Sequence, residues 1–169
     1  DAKNGNYLFD LVGHNGYVSF ADFSLNGQDI ITVSNDGTAK IWALESGKIL
    51  HTLQGHTKPV SYAKFVPVAP NDSIGIKKII TVSNDNTAKV WNAANGELLY
   101  TFFTIDSLDY LTVEKDFRFD GSDAARKLLY FTCGTEVVGL DQVKDSLWVP
   151  NLAETILKGM AIDAAKLKD

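Results

Sequence analysis

The chain has 169 residues, 45% hydrophobic and 22% charged, the proportions of an ordinary globular protein with enough apolar material for a core. Its formal net charge of −5, with no basic cluster and no interleaving of basic and aromatic residues, argues against nucleic-acid binding. A single cysteine excludes an intrachain disulfide and tilts the expected compartment toward the cytoplasm, and no apolar run reaches transmembrane length.

The first segment, Asn4 to Leu11, aligns with the later Glu45 to Leu53 and reads as a strand without its partners. With no initiator Met and no signal-like apolar stretch before it, the expectation is a chain that begins inside a longer array. Next come Tyr17–Phe23, rich in β-formers, then the apolar run Ile30–Ser34, then Thr38–Trp42 with strict alternation, then Lys48–Leu53. Asn26-Gly27, Asn35-Asp36-Gly37 and Ser46-Gly47 separate them as turns. The same series follows again as Val60–Phe65, Ile79–Ser83, Thr87–Trp91 and Glu97–Phe102. Each set is predicted to form a four-stranded antiparallel sheet.

The two sets are copies of one unit. Gly13-His14 heads the first and Gly55-His56 the second, and in both an Asp precedes a Trp by six positions while a Thr precedes that Asp by four. The Gly-His pairs stand 42 residues apart but the Trp residues 49, so seven residues are inserted in the second unit. Val66 to Gly75, with two prolines, a glycine and Asn-Asp-Ser, accounts for them and is predicted to be a surface loop. Self-similarity at this period marks a repeat architecture.

These residues and spacings resemble the WD-repeat family of β-propellers over residues 1–103. The residue after each Trp departs from the family's Asp, being Ala43 and Asn92. The resemblance implies a mainly β fold: residues 1–12 as the last strand of a preceding blade, 13–54 as a first blade, and 55–103 as a second. Residues 104–169 would then be a small mixed α/β segment with two or three short helices. It also implies a hydrogen-bonded network in each blade, His14, Thr32, Asp36 and Trp42 in the first and His56, Thr81, Asp85 and Trp91 in the second. The chemistry suits it: a carboxylate accepts from one ring nitrogen, the other accepts from the hydroxyl, and the hydroxyl accepts from the indole. Duplication argues for scaffolding over a Thr-His-Asp catalytic set, since a doubled active site is improbable. Two blades and a strand do not close a ring of about four to eight blades, so a longer protein is expected to supply the rest.

The function implied is a non-catalytic platform for protein or peptide partners, with further blades of the same protein as another class of partner. Candidate contact residues on the loop face are Asn15, Tyr17, Asn35, Thr57, Lys58 and Asn84, Tyr17 standing out as an amphipathic ring. No cofactor, metal, nucleic acid or membrane partner is expected: three histidines and one cysteine show no zinc-like spacing. His51, whose counterpart is Tyr100, reads as an edge position rather than a ligand.

Past Phe103 the repeat stops. Asp106–Val113 contains a short strand, Phe117–Gly121 reads as a turn, and Ser122-Asp123 as the start of a helix with Ala125, Leu128, Leu129 and Thr132 on one face. Thr135–Leu140 is strand-like, Asp141–Trp148 a short helix or turn, and a last helix from Leu152 carries an apolar stripe through Leu167. Residues 119–142 resemble a connector that follows WD repeats in some large bacterial proteins, which implies an alternative: the regulatory region of an effector, a caspase-like peptidase or NTPase, whose catalytic domain lies elsewhere. Cys133 lacks the Gln-Ala-Cys-x-Gly context of a caspase-like nucleophile and is expected to be buried and inert.

Overall fold

The computed structural model describes residues 3–67, 77–128, 130–133 and 136–157. The first sheet is β1 (Val18–Phe23), β2 (Asp29–Ser34), β3 (Ala39–Ala43) and β4 (Ile49–Leu53), antiparallel and in chain order. The second begins with the equivalent β5 (Val60–Val66), β6 (Lys78–Ser83), β7 (Thr87–Asn92) and β8 (Leu98–Thr104). The register repeats with its defects. The first pair of strands shifts between Val18 and Phe20 and again between Val60 and Tyr62, and the last pair between Ile41 and Trp42 and again between Val90 and Trp91. Such bulges re-aim side chains, so their recurrence carries the same side-chain placement into both sheets. The turn after each Asp needs a left-handed residue, met by Gly37 at φ 81 and Asn86 at φ 65, the two residue types that bear it at least cost.

The two sheets pack side by side, β5 lying against β1 and β2. Ile31, Val33, Ala39, Ile41 and Leu53 of the first bury against Val60, Ala63, Phe65, Ile79 and Trp91 of the second. The Phe20 and Tyr62 rings meet at 4.7 Å between centroids, and the Ser19 hydroxyl donates to the Val60 carbonyl across the boundary at 2.9 Å. The whole is a mainly β, partial propeller.

The second sheet does not stop at β8. β9 (Tyr110–Glu114) pairs with it and β10 (Phe119–Gly121) pairs with β9, giving six strands across the expected boundary at residue 103. Phe119–Gly121 is therefore a strand and only the residues before it a turn. The physical reason is the open edge of β8, whose backbone groups would otherwise be unpaired, next to a Tyr-Leu-Thr-Val run of strong β-formers. A helix α1 (Asp123–Leu128) follows, with Ser122 as its cap: the Ser122 Oγ accepts the Ala125 N–H at 3.3 Å. It ends too soon for a helical face reaching Thr132, which lies in β11 (Tyr130–Cys133), hairpinned with β12 (Glu136–Gly139). A 3₁₀ turn at Leu140–Gln142 and helices α2 (Lys144–Leu147) and α3 (Leu152–Leu157) complete the unit. Phe119, Leu111 and Leu140 form its small core, and the Arg126 guanidinium lies 4.9 Å above the Trp148 ring.

The expected leading strand is not one. Residues 5–14 carry no strand, because the blade that would hydrogen-bond to them is not among the described residues; Phe9 instead lies against the turn at Gly47, where an added Cβ would come within 2.8 Å of its ring. Residues 68–76, which hold most of the inserted loop, the Cys133 side chain, and the last helix beyond Leu157 lie outside what is described.

Candidate functional site

Both blades carry one polar chain built from the same four side chains. The Trp42 indole donates to the Thr32 hydroxyl at 2.7 Å, Thr32 lies 2.8 Å from His14 Nε2, and His14 Nδ1 lies 2.9 Å from Asp36 Oδ2. In the second, Trp91, Thr81, His56 and Asp85 repeat it at 2.8, 2.8 and 2.9 Å. The carboxylate has no proton to give, so each imidazole is protonated on Nδ1 and accepts the Thr proton on Nε2, leaving the hydroxyl oxygen for the indole. Every member has a partner, the condition under which a semi-buried polar chain stiffens a fold rather than weakening it.

The Asp of each network also pins the loops. Asp36 Oδ2 accepts the Asn15 N–H at 2.9 Å, and Oδ1 accepts the N–H and hydroxyl of Thr38 at 2.9 and 2.7 Å. Asp85 does the same with Thr57 and Thr87. Burial alone would raise the pKa of these carboxyls, but donors converging from Thr38, Asn15 and His14 outweigh it and hold Asp36 well below the usual carboxylate range; Thr87, Thr57 and His56 do so for Asp85. Burial pushes the His56 pKa down despite Asp85 beside it, favouring the neutral ring.

Two sets of residues that sequence reasoning missed lie at or near the network. Thr38 and Thr87 stand two residues after each Asp, a repetition that signals a side-chain turn closing on the carboxylate. Lys40 and Lys89, each two before a Trp, are buried with their ammonium groups 3.0 and 2.9 Å from Thr52 and Thr101, and burial lowers the Lys89 pKa against the pull of Asp85.

The network ends at a loop face. Asn15, Tyr17, Asn35, Thr57, Lys58 and Asn84 are all exposed there. The Tyr17 carbonyl accepts the Asn35 N–H at 2.9 Å, which fixes the loop before β1 to the β2–β3 turn; Pro59 and Asn84 make the equivalent bond at 3.0 Å. The two blades' loops meet, since a Cβ on Gly37 would lie 3.5 and 3.6 Å from the His56 and Lys58 carbonyl oxygens. The six side chains therefore belong to one continuous rim. His51 lies at the opposite rim, its ring Nε2–H donating to the Ala94 carbonyl at 2.9 Å beside a cavity of about 760 Å³ lined by Leu25, Leu50 and Phe65. Among the described residues no three His, Cys, Asp or Glu side chains gather as a metal site.

Comparison with known proteins bears on the repeat. The family model described as "WD domain, G-beta repeat" matches residues 5–43 and 47–92, together half of the chain. The second match runs from β4 through β7, so the family's unit starts on the outer strand of one blade and ends on the third strand of the next. Nuclear distribution protein PAC1 of Komagataella phaffii is 31% identical over 71 residues, 42% of this chain and 14% of that protein. A guanine nucleotide-binding protein subunit beta of Schizosaccharomyces pombe is 36% identical over 62 residues, 37% of this chain and 20% of that protein. The chain thus spans a fifth or less of the length of these relatives. A crystal structure of the WD40 β-propeller domain of Doa1 aligns with 71% of this chain and 40% of its own at 26% identity, with a TM-score of 0.45. With the doubled Gly-His, Asp and Trp positions, the doubled register and the two matched repeats, the chain belongs to the WD40 repeat family.

Proposed function

We propose that this chain is a non-catalytic interaction scaffold that holds a protein or peptide partner on the rim formed by Asn15, Tyr17, Asn35, Thr57, Lys58 and Asn84. The observation that carries the reading is the backing of that rim. Its loops are exposed, yet Asp36 and Asp85 tie them to buried Thr and Trp side chains through the two His networks. Exposed polar groups held rigidly lose little entropy on binding, which is what a recognition surface requires. Tyr17 supplies the amphipathic anchor and Lys58 an exposed cation on the same rim. The Schizosaccharomyces pombe relative is named a subunit, and a role within an assembly of chains is part of this reading. So is a cytoplasmic setting. The alternative, a regulatory region of a larger effector, rests on the connector resemblance of residues 119–142.

Selection from a displayed peptide library tests the proposal. Peptides enriched on the wild-type chain are expected to lose about tenfold or more in affinity on Tyr17→Ser or Lys58→Glu, the loss of one anchor contact. Equal binding to the variants, or no enrichment at all, would overturn it.

A further inference from the structure

Four Asn-Gly pairs occur in the sequence, at Asn4, Asn15, Asn26 and Asn95, and the last three stand in loops of the blades. Such a pair can modify itself. The glycine nitrogen attacks the Asn Cγ and gives up its proton to solvent base, and the side-chain nitrogen leaves as ammonia. Water then opens the resulting succinimide at either carbonyl, to Asp or to isoaspartate. Glycine permits this because no side chain shields the attacking nitrogen. Two groups must be free together: the Asn side chain, which swings onto its own backbone, and the glycine N–H, which loses its proton.

Two of the blade loops hold both groups. Asn26 Oδ1 accepts the Ser24 hydroxyl at 2.7 Å and the Gln28 N–H at 3.2 Å, and its amide donates to the Gln28 side chain at 2.7 Å. The Gly27 N–H donates to the Ser24 carbonyl at 2.8 Å. Asn95 Oδ1 accepts the Glu97 N–H at 2.9 Å, and the Gly96 N–H donates to the Asn92 carbonyl at 2.8 Å.

At Asn15 neither group is held. Asn15 and Gly16 are both exposed, and among the described residues neither the Asn15 side chain nor the Gly16 N–H makes a hydrogen bond. The bond Asn15 does make, from its own backbone N–H to Asp36 Oδ2 at 2.9 Å, involves no reacting atom. The packing also demands the glycine. A Cβ on Gly16 would lie 2.9 Å from the Asp36 nitrogen and 3.1 Å from the Ser34 hydroxyl, so the loop's close approach to the β2–β3 turn keeps the labile pair in place. The second blade carries Thr57-Lys58 at the corresponding positions and has no such pair.

We infer that Asn15 is a site of self-modification to isoaspartate and aspartate, and that the isoaspartate product releases the first blade's part of the loop rim while the second blade's part stays fixed. Isoaspartate adds one methylene to the backbone between residues 15 and 16, a length of about 1.5 Å. No room exists for it where Gly16 lies against Asp36 and Ser34, so Gly16 and Tyr17 are displaced. The Tyr17 carbonyl then loses the Asn35 N–H it accepts at 2.9 Å, whereas the Pro59 to Asn84 bond at 3.0 Å is untouched. Either product also sets a second carboxylate beside Asp36, a like charge at a loop that has no donor to offer it. The modification draws only on water and needs nothing from a bound partner.

Ageing the full chain in mildly alkaline buffer, native and in urea, tests it, with each product located by electron-transfer fragmentation in a mass spectrometer. In the native chain Asn15 is expected to convert about tenfold or more faster than Asn26 and Asn95, because two or more hydrogen bonds must open first at each of those. In urea the rates at the blade pairs are expected to converge. Asn26 or Asn95 keeping pace with Asn15 in the native chain would overturn the inference, and so would a preference for Asn15 that persists unchanged in urea. In the aged chain the Asn35 amide is expected to exchange faster while the Asn84 amide keeps its protection. Asn15→Gln, whose longer side chain does not close the five-membered ring, is expected to show no such change on ageing. Equal Asn35 protection in fresh chain and in chain converted to isoaspartate would overturn the inference, as would the same loss of protection in aged Asn15→Gln.

Discussion

At the residue scale, what matters is that each network member has a single geometric solution. Trp42→Phe and Trp91→Phe remove the indole donor to a hydroxyl oxygen already committed to a histidine. Each is expected to destabilise the fold by roughly 1–3 kcal/mol in urea denaturation. A neutral result at either would mean that its indole bond contributes nothing to that blade. The network also sets a pH dependence. Burial holds the folded His56 pKa below the ordinary histidine value of 6.5, so below that value the unfolded chain binds the proton more readily. The converging donors hold the folded Asp36 and Asp85 pKa values below the ordinary aspartate value of 3.8, so their contribution is complete above it and is lost as pH falls toward the folded value. All three act in the same direction: stability falls on acidification, first below 6.5 through His56 and then below 3.8 through the carboxyls. Denaturation midpoints from about pH 8 to about pH 3 should decline in those two windows, and His56→Gln should remove the first. A midpoint unchanged between neutrality and pH 5 would contradict the assignment to His56. The four side chains were legible in the sequence because duplication singled them out. Thr38, Thr87 and the buried lysines were not, because a Thr or Lys in a strand is ordinary until its partner is known.

At the element scale, eight strands follow from local pattern and recur with ends that agree to within two residues, but β9 and β10 do not belong to the repeat. A short β-prone segment pairs only if an edge is presented to it, and β8 presents one. Val113 is central to this extension, paired with Thr101 on β8 and Phe119 on β10. Val113→Pro removes a donor from the middle of the ladder. Amide exchange is expected to rise in β8 and β10 while β1 to β4 keep their protection; a uniform rise would mean that the sheets unfold as one unit. The leading segment shows the converse. Asn4 to Leu11 has the composition of an outer strand, yet without a described neighbour it forms no ladder.

At the scale of the whole molecule, one inter-blade contact joins the two repeat sheets among the described residues. Propeller blades are not independently satisfied, since each buries its two faces only between neighbours. The loop rim and the inter-blade core are therefore different regions with different chemistry, polar and pre-ordered on one hand, apolar on the other. By itself the sequence determined the repeat unit, its strands and the side chains of the two networks, because those depend on spacing that two copies display side by side. Only the tertiary structure decided which face of each blade is covered, where the second sheet ends, and that Asp36 and Asp85 anchor the rim. Those outcomes depend on contacts between segments far apart in the chain, and no local pattern records which neighbour a face or an edge will find.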